Sequence, residues 1–358
     1  MHRNRSWKLI AGPFRPTLES ALEQSIRAAK ADDPGAPVIV LVGSTVLDIY
    51  LRRRLARRLP LWNVRFVTFA QLARMLGRPA LRRAGRDPLP PGAETLLVRD
   101  VIRRQPPAYF HPVADLPGFA RTALASMADL KEAGLGPDAV AGSSSPGPRA
   151  LGAIYRAHQA ALDRLGLYDS LDLLAAAADA APGDPRLAES ELIAYGFYDL
   201  TGLQRRLLAA VASEAKAASV MVPAGDGPAF DYAGPLLDWL EAQGFERCGT
   251  QAGADPLVDR LFKPPAGDPL DADVRVLSVP GEPREAREVV RQVLRLAEDG
   301  VPFHEIGVLL RNPDEHARLF REAFEQRRIP TFVSGGVPLA ETPAAKSMLL
   351  LTDLFAGD

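Results

Sequence analysis

The sequence PVIVLVGSTVLDIYLRRRLARRL (37–59) contains the pattern that decides the fold class. It begins with a short run of β-branched and apolar residues between a proline and Gly-Ser, which is typical of a buried parallel strand. Ser44 or Thr45 then stands where a helix N-cap is needed, and a helix-forming segment follows. The stretch predicts a strand that runs directly into a helix, the repeating unit of an α/β sheet.

The same strand-then-helix pattern recurs along the chain, with one long interruption. Apolar residues at helical spacing dominate from about 92 to 182, so this part predicts a helical insertion. Strands are predicted for the segments WKLIAG (7–12), NVRFVTF (63–69), ELIAYGF (191–197), ASVMVPA (218–224), VRVLSVP (274–280), EIGVLLR (305–311) and IPTFVS (329–334). The alternation of these strands with helices predicts parallel sheets.

A Pro/Gly/Asp-rich stretch, FKPPAGDPLDAD (262–273), separates the last three of these strands from the others and predicts a domain boundary. The last helical segment ends at position 358, so the second unit is expected to be incomplete. The predicted divisions are a split first α/β domain (1–80 and 188–262), a helical insertion (81–187), a linker (263–273) and the start of a second α/β domain (274–358).

Composition limits the classes of function. Lys+Arg 43 against Asp+Glu 44 gives a formal net charge of −1, so a nucleic-acid surface requires local clustering of basic residues. The single cysteine, Cys248, excludes an intrachain disulfide framework and a multi-cysteine metal site. The five histidines show no metal-ligand spacing, so no metal site is predicted. No apolar run approaches a membrane span, and we expect a cytoplasmic protein with no membrane partner.

The segment AGPFRPTLE (11–19) lies where a nucleotide-binding protein holds phosphate, between a strand and a helix. A Walker A loop, GxxxxGK[ST], wraps phosphates with backbone N–H groups and neutralises them with its lysine. Here Gly12 is followed by Thr17 and Leu18, so the second glycine and the lysine are missing. Pro13 and Pro16 also remove two N–H donors. The segment indicates a strand-to-helix turn without ordinary ATP binding.

A second part of an ATPase site is altered in LIAYGFYDLTGLQRRLL (192–208). An ATPase places an acidic pair at the tip of this strand, one residue to hold Mg²⁺ and one to activate water. Gly196 and Phe197 stand at the tip instead, and a neutral pair can do neither.

Two later segments are similar to UvrD-type superfamily 1 helicases. EIGVLLRNPDEHARLFREAFEQRRIPTFVSGGVPL (305–339) resembles the second RecA-like domain of that family, and GEPREAREVVRQVLRLAEDG (281–300) resembles the entry to it. The residues that carry the first likeness are Leu309, Leu310, Arg311, Ile329, Pro330, Gly335 and Gly336. The resemblance implies tandem RecA-like parallel-sheet domains with a helical insertion.

Within that resemblance, the "GF…T..Q..LL" setting of Gly196, Phe197, Gln204, Leu207 and Leu208 is most similar to the AddB-like subunits of ATP-dependent helicase/nucleases. That family implies a role in double-strand break repair and recombination, DNA ends as ligand and a heterodimer with an AddA-like motor subunit. ATP and Mg²⁺ then belong to the partner motor and the nuclease, with no cofactor in this segment. A PD-(D/E)XK nuclease domain, and an iron–sulfur cluster as an open expectation, would lie beyond residue 358.

The resemblance also implies roles for individual residues. The degenerate nucleotide site would comprise Gly12, Thr17, Gly196, Phe197, Gln204 and Arg311, the last being the arginine that reaches the nucleotide in the family. The resemblance places contacts to DNA at Ser44, Thr45, Thr68 and Phe69. Arg52, Arg53 and Arg54 are added to the predicted DNA contacts because they belong to the densest positive patch of the sequence. No catalytic residue is predicted.

Structural roles stay open for the same residues. Ser44 or Thr45 can cap a helix, Phe69 can fill the core, and Arg311 can be a surface residue at a strand end. The run Arg52–Arg54 with Arg57 and Arg58 can bind phosphate or form a solvated helix face. Two other functions also stay open: an α/β enzyme that binds another anion at a helix N-terminus, and a protein-interaction scaffold.

Overall fold

The computed structural model describes residues 6–358 except 117, 226, 250–259, 261–262, 264–273, 337–338, 340–341 and 357–358. The chain forms two compact units that meet in sequence at about residue 270. Within the described residues, no helix combines the length and the apolar character needed to cross a membrane.

The first unit is built on a six-stranded sheet. Its strands are β1 (Trp7–Gly12), β2 (Val38–Val42), β3 (Val64–Val67), β6 (Glu191–Tyr195), β7 (Ala217–Pro223) and β8 (Glu246–Cys248), in the order β3-β2-β6-β7-β1-β8. All of the pairings are parallel. A separate two-residue pair, β4 (Asp87–Pro88) and β5 (Leu167–Tyr168), is also parallel. The predicted parallel α/β sheet is confirmed for this unit, with β8 as a strand that the sequence pattern did not indicate.

The helices of the first unit are α1 (Glu19–Ala29), α2 (Thr45–Leu55), α3 (Phe69–Arg83), α4 (Ala93–Arg104), α5 (Phe119–Glu132), α6 (Pro137–Ala141), α7 (Pro146–Leu165), α8 (Ser170–Ala180), α9 (Pro185–Ala188), α10 (Gly202–Glu214) and α11 (Gly234–Ala242). Strand β2 shows how they cover the sheet. Ile39 and Leu41 belong to one core cluster with apolar residues of α3, α8, α10 and α11, whereas Val38, Val40 and Val42 belong to another with apolar residues of α1 and α2. Because successive side chains of a strand point to opposite faces, both faces are buried and the strand is apolar throughout.

The helical insertion has a core of its own. Apolar residues of α4, α5 and α7, including Val98, Met127 and Ile154, pack together away from the sheet. Helix α8 instead crosses α3 closely. A β-carbon on Gly77 would meet the carbonyl oxygen of Leu173 at 2.7 Å, so only glycine fits at this crossing. Helix α8 lies within the stretch predicted as the helical insertion (81–187), but its buried residues belong to the core of the sheet. The domain limits expected from the sequence therefore remain a proposal.

The second unit contains α12 (Glu282–Glu298), α13 (Pro313–Gln326) and α14 (Pro343–Ala356). The strands predicted at 274–280, 305–311 and 329–334 are wrong for the residues described, since 274–279, 306–310 and 329–333 form no β-ladder. A strand needs a partner strand for its backbone hydrogen bonds, and these segments have none there. Several of their apolar side chains are exposed, among them Leu309 at 98% and Phe332 at 93%. Residues of the second and third segments border an open groove of about 1080 Å³.

Candidate functional site at the carboxyl edge of the sheet

The carboxyl ends of the parallel strands lie at one edge of the sheet, where α/β proteins commonly bind ligands. The loops after β1, β2, β3 and β6 all begin at this edge, and β7 separates β1 from β6. The segments that the sequence pattern associated with a nucleotide site and with DNA contacts therefore meet along one edge. Arg311 belongs to the second unit, where it is exposed.

The loop after β1 is a wide turn without the groups that hold phosphate. Residues Phe14–Leu18 form a wide turn in which Arg15 is extended, with φ −124° and ψ 137°. The turn is closed by the Leu18 N–H, which donates to the Pro13 carbonyl over 3.1 Å. Counted from Gly12, Leu18 stands at the Walker lysine position, and it is fully buried in the core beside α1 and α2. Thr17, at the place of the second glycine, is also buried. An apolar buried side chain cannot neutralise a phosphate.

The first residue of α1, Glu19, stands where a Walker motif has its Mg²⁺-binding hydroxyl, and its carboxylate is paired within the protein. It is only 7% exposed. Tyr50 Oη donates to Glu19 Oε1 over 2.7 Å, and Arg15 Nε donates to the same oxygen over 3.1 Å. Arg54 Nη2 lies 2.6 Å from Oε2, an ion pair by distance whose angles are not those of a hydrogen bond. Two guanidinium groups therefore hold a carboxylate of this chain at the start of α1.

The electrostatics agree with that pairing. The hydrogen bond that Arg15 donates to Glu19, with smaller contributions from Tyr50, raises the pKa of Arg15 above its ordinary value. A carboxylate in the first turn of a helix is also favoured by the helix dipole. The N-terminus of α1 attracts an anion, and the Glu19 carboxylate of the same chain fills that role.

The place of the ATPase acidic pair is filled by aromatic packing. Gly196 has a φ of +78°, and a β-carbon there would meet Phe14 Cε1 at 3.0 Å. Phe14 thereby joins the loop after β1 to the tip of β6. Phe197 is buried, and its ring meets that of Phe69 edge-on with centroids 5.3 Å apart. Gly196 and Phe197 therefore supply no carboxylate for Mg²⁺, and the next acid along the loop, Asp199, lies 4.0 Å from Arg205.

Gln204 has a structural partner of its own. Its side-chain oxygen accepts from the Thr201 N–H over 3.2 Å, while Thr201 Oγ1 accepts from the Gln204 N–H over 3.4 Å. This reciprocal pair is a capping box at the start of α10. Among the described residues, no group of three or more His, Cys, Asp or Glu side chains could hold a metal ion. Mg²⁺–ATP therefore does not fit the residues of this edge.

The residues predicted to contact DNA divide into two groups. Ser44 caps α2, accepting from the Leu47 N–H over 3.2 Å, and Thr68 caps α3, accepting from the Gln71 N–H over 3.3 Å. Each hydroxyl retains its own O–H as a donor, and Ser44 and Thr45 are exposed at the edge. The prediction that Phe69 stacks on bases conflicts with its position, because it is only 8% exposed and forms part of the core.

The arginines of α2 lie away from the carboxyl edge of the sheet. They lie in the last turns of the helix, about 10 Å or more along its axis from Thr45, given a rise of 1.5 Å per residue. Arg52 pairs with Asp48 and lies over the Phe66 ring, 4.9 Å from its centroid. Arg54 is held by Glu19. Arg52 and Arg54 therefore have structural partners, whereas Arg53 is exposed and forms no ion pair among the described residues.

Two exposed aromatic residues at this edge were missed by the sequence reasoning. Tyr198 follows β6 and Tyr232 follows β7, and their rings meet edge-on with centroids 5.0 Å apart. Each is about half exposed. Tyr198 is next to Phe197 in sequence, but the pattern could not show which of the two aromatic rings faces the core.

The fold and this edge define an α/β protein whose parallel sheet is consistent with a Rossmann- or RecA-like fold. The positions at which the sequence reasoning placed a degenerate nucleotide site are occupied by side chains of this chain. The chain is similar to the B-type subunit of the ATP-dependent helicase/deoxyribonuclease of Symbiobacterium thermophilum, with 23% identity over 402 aligned residues. That match covers 98% of this chain and 34% of the relative, so the chain spans about a third of that protein's length. No family model matches the chain.

Proposed function

We propose that this chain is a non-catalytic, helicase-like DNA-binding and scaffolding part of a helicase–nuclease that acts in double-strand break repair and homologous recombination. One observation carries the proposal: the positions that would hold nucleotide phosphate and Mg²⁺ are filled by Leu18, Glu19 and Phe14. A sheet that keeps the strand-to-helix geometry but lacks the residues that bind and hydrolyse a nucleotide is suited to binding a ligand such as DNA and not to catalysis. The similarity to a helicase/deoxyribonuclease component supports the choice of DNA as ligand.

The proposed DNA contacts lie on the carboxyl edge. Ser44, Thr45 and Thr68 supply hydroxyl donors for the phosphate backbone, since single-strand binding combines backbone contacts with base stacking. Tyr198 and Tyr232 take the stacking role that Phe69 cannot fulfil, because they are exposed where Phe69 is buried. Arg54, held by Glu19, is left out of the contact set.

The partners in this proposal are single- and double-stranded DNA ends and an AddA-like motor subunit in a heterodimer. ATP and Mg²⁺ act in that motor, and a nuclease domain cuts the DNA. The similar protein is named as one subunit of a larger enzyme, which supports a partner for this chain. Unwinding and cleavage are activities of the proposed assembly and are not assigned to groups of this chain.

Fluorescence anisotropy with a labelled oligothymidylate tests the proposal. We expect binding that weakens steeply with salt and is unchanged by Mg²⁺–ATP. Replacing Tyr198 and Tyr232 together by leucine should weaken binding about tenfold or more, since each stacked base is worth ~1–3 kcal/mol. Trp62→Leu is the matched control, because Trp62 is 74% exposed but precedes β3, at the opposite edge. Absence of binding by the wild-type chain at low salt would contradict the proposal.

A further inference from the structure

The outward face of α2 carries a stripe of exposed side chains. Val46, Ile49 and Arg53 follow one another at spacings of three and four residues, which places them on the same side of α2. Arg57 follows four residues later in the turn after α2, where the Leu59 N–H donates to the Leu55 carbonyl over 2.9 Å, so the helical spacing is kept. Val46 is 67% exposed and Ile49 is 47% exposed. The opposite side of α2 is buried through Leu51 and Leu55. The stripe is therefore a solvent-facing surface, apolar near the carboxyl edge and basic farther along.

The two arginines of the stripe differ from the other three arginines of the run, which are all paired with acids. Arg52 pairs with Asp48, Arg54 with Glu19, and Arg58 with Glu23 at 3.1 Å. In the part of the chain that the structure describes, neither Arg53 nor Arg57 forms an ion pair, and both are exposed. Three of the five arginines thus neutralise acids of this chain. Arg53 and Arg57 retain their full charge for a ligand.

We propose that Arg53 and Arg57 hold the phosphate backbone of a single DNA strand that lies along the outward face of α2. This inference rests on the proposed DNA-binding function and names the cations that carry it. The two residues are four apart, which is about 6 Å at the helical rise of 1.5 Å per residue, and i→i−4 backbone hydrogen bonds continue through the turn after Leu55. Guanidinium groups match phosphate geometry, and each phosphate contact releases condensed counterions.

The remainder of the stripe fits the same ligand. Ser44 and Thr45 present hydroxyl groups at the start of α2, and Val46 and Ile49 offer an apolar surface to sugars and bases between those hydroxyls and the arginines. The one acid in the first turns of the helix, Asp48, is neutralised by Arg52. A polyanion with apolar faces is thus complementary to this surface in both charge and polarity.

The test is the salt dependence of oligothymidylate binding by the full chain. For single strands the slope of log affinity against log salt is about −0.7 per phosphate contact. The double variant Arg53→Gln/Arg57→Gln should therefore lose about 1.4 from the magnitude of the slope and bind at least tenfold more weakly at low salt. Arg53→Lys/Arg57→Lys should restore most of the slope. Val46→Ser/Ile49→Ser should weaken binding with the slope unchanged.

Arg53→Gln and Arg57→Gln made singly should each lose about 0.7 from the magnitude of the slope. Arg58→Gln is their matched control, because it also removes one positive charge but takes away an arginine already paired with Glu23. It should leave the slope within error of wild type. If wild type binds DNA and the Arg53/Arg57 double variant keeps its slope, this inference is wrong while the proposed function stands. If wild type does not bind DNA, the proposed function itself fails. If polyglutamate competes as well as the oligonucleotide, the stripe is a general polyanion surface and the DNA assignment is wrong.

Discussion

The ring of Phe14 lies against Gly196, with Cε1 only 3.0 Å from where a β-carbon on that glycine would stand. The two residues belong to the ends of β1 and β6, which β7 separates. In an ATPase these ends would share a nucleotide and a metal ion. Here they share an aromatic contact.

Replacing Gly196 by alanine tests how strongly this contact and its backbone are required. The residue has a φ of +78°, which L-residues adopt at a cost, and the new methyl group would press on Phe14. We expect Gly196→Ala to lower the free energy of unfolding by about 1–2 kcal/mol, measured by urea denaturation. Gly43→Ala is the control, since its β-carbon would meet Phe197 at an ordinary 3.9 Å. Equal losses for both variants would refute the packing argument.

The carboxylate of Glu19 should be coupled more strongly to Arg54 than to Arg15. Arg54 has a side chain 36% exposed and Arg15 one 66% exposed, so solvent screens the Arg15 pair more. Double-mutant cycles using Glu19→Gln with Arg54→Gln or Arg15→Gln should give coupling energies of about 1 kcal/mol and a few tenths of a kcal/mol, respectively. A larger coupling to Arg15 would show that hydrogen-bond geometry outweighs screening here.

Stability should fall in mild acid because of His158. This side chain is buried in α7 among Lys131, Asp169, Asp172 and Tyr155, and its Nε2 atom has no hydrogen-bond partner. Burial lowers the pKa of His158 below its ordinary value of 6.5, with Lys131 acting in the same direction and the two aspartates opposing it. The unfolded chain therefore takes up this proton at a higher pH than the folded chain, so the free energy of unfolding decreases as pH falls below about 6.5.

A His158→Gln variant should remove that dependence. Its free energy of unfolding should vary less between pH 6.5 and the lowered pKa than that of wild type. Asp169 acts in a different window: burial raises its pKa, but the charge and hydrogen bond of Lys131 outweigh burial and lower it, so its contribution is lost only at more acid pH. His111→Gln, at an exposed position, serves as control. An unchanged pH profile for His158→Gln would contradict this assignment.

Gln204 should behave as a capping residue and not as a nucleotide ligand. Gln204→Glu preserves the reciprocal pair with Thr201 and should leave the thermal midpoint nearly unchanged. Thr201→Val removes the capping oxygen and should cost about 1 kcal/mol. Thr68→Val is a matched comparison, because Thr68 forms the same box with Gln71 at α3. A large loss for Gln204→Glu would indicate another role.

Much of the first unit could be predicted from local sequence, because buried parallel strands such as Val38–Val42 are short apolar runs with turn residues on both sides. Strand order could not be read in this way, since it depends on contacts such as β1 with β7, which are remote in sequence. The end of α3 could not be predicted either, because the helix continues through Pro79 to Arg83 with Leu81 buried, whereas a proline usually ends or kinks a helix. In the second unit, the β-like segments form no ladder within the described residues, because strand propensity does not supply a partner strand.

For the candidate site, the sequence shows which residues of an ATPase are missing, but it does not show which side chains make contact there. The missing lysine and acidic pair were visible in the sequence, and the structure places Leu18 and Gly196 at those positions. What fills the site was not visible, because Glu19 meets Arg54 through the packing of α1 against α2. Likewise, the sequence could not separate the paired Arg52 and Arg54 from the exposed Arg53.

Calorimetric titration of the wild-type chain with Mg²⁺–ATP tests the central claim most directly. Because Leu18 stands at the position of the phosphate-binding lysine and Glu19 and Phe14 fill the place of the metal ion and its acidic ligands, we expect no saturable heat of binding and no ATP hydrolysis. The same preparation should bind oligothymidylate, which shows that it is folded and competent. Saturable binding of Mg²⁺–ATP with turnover would contradict the account.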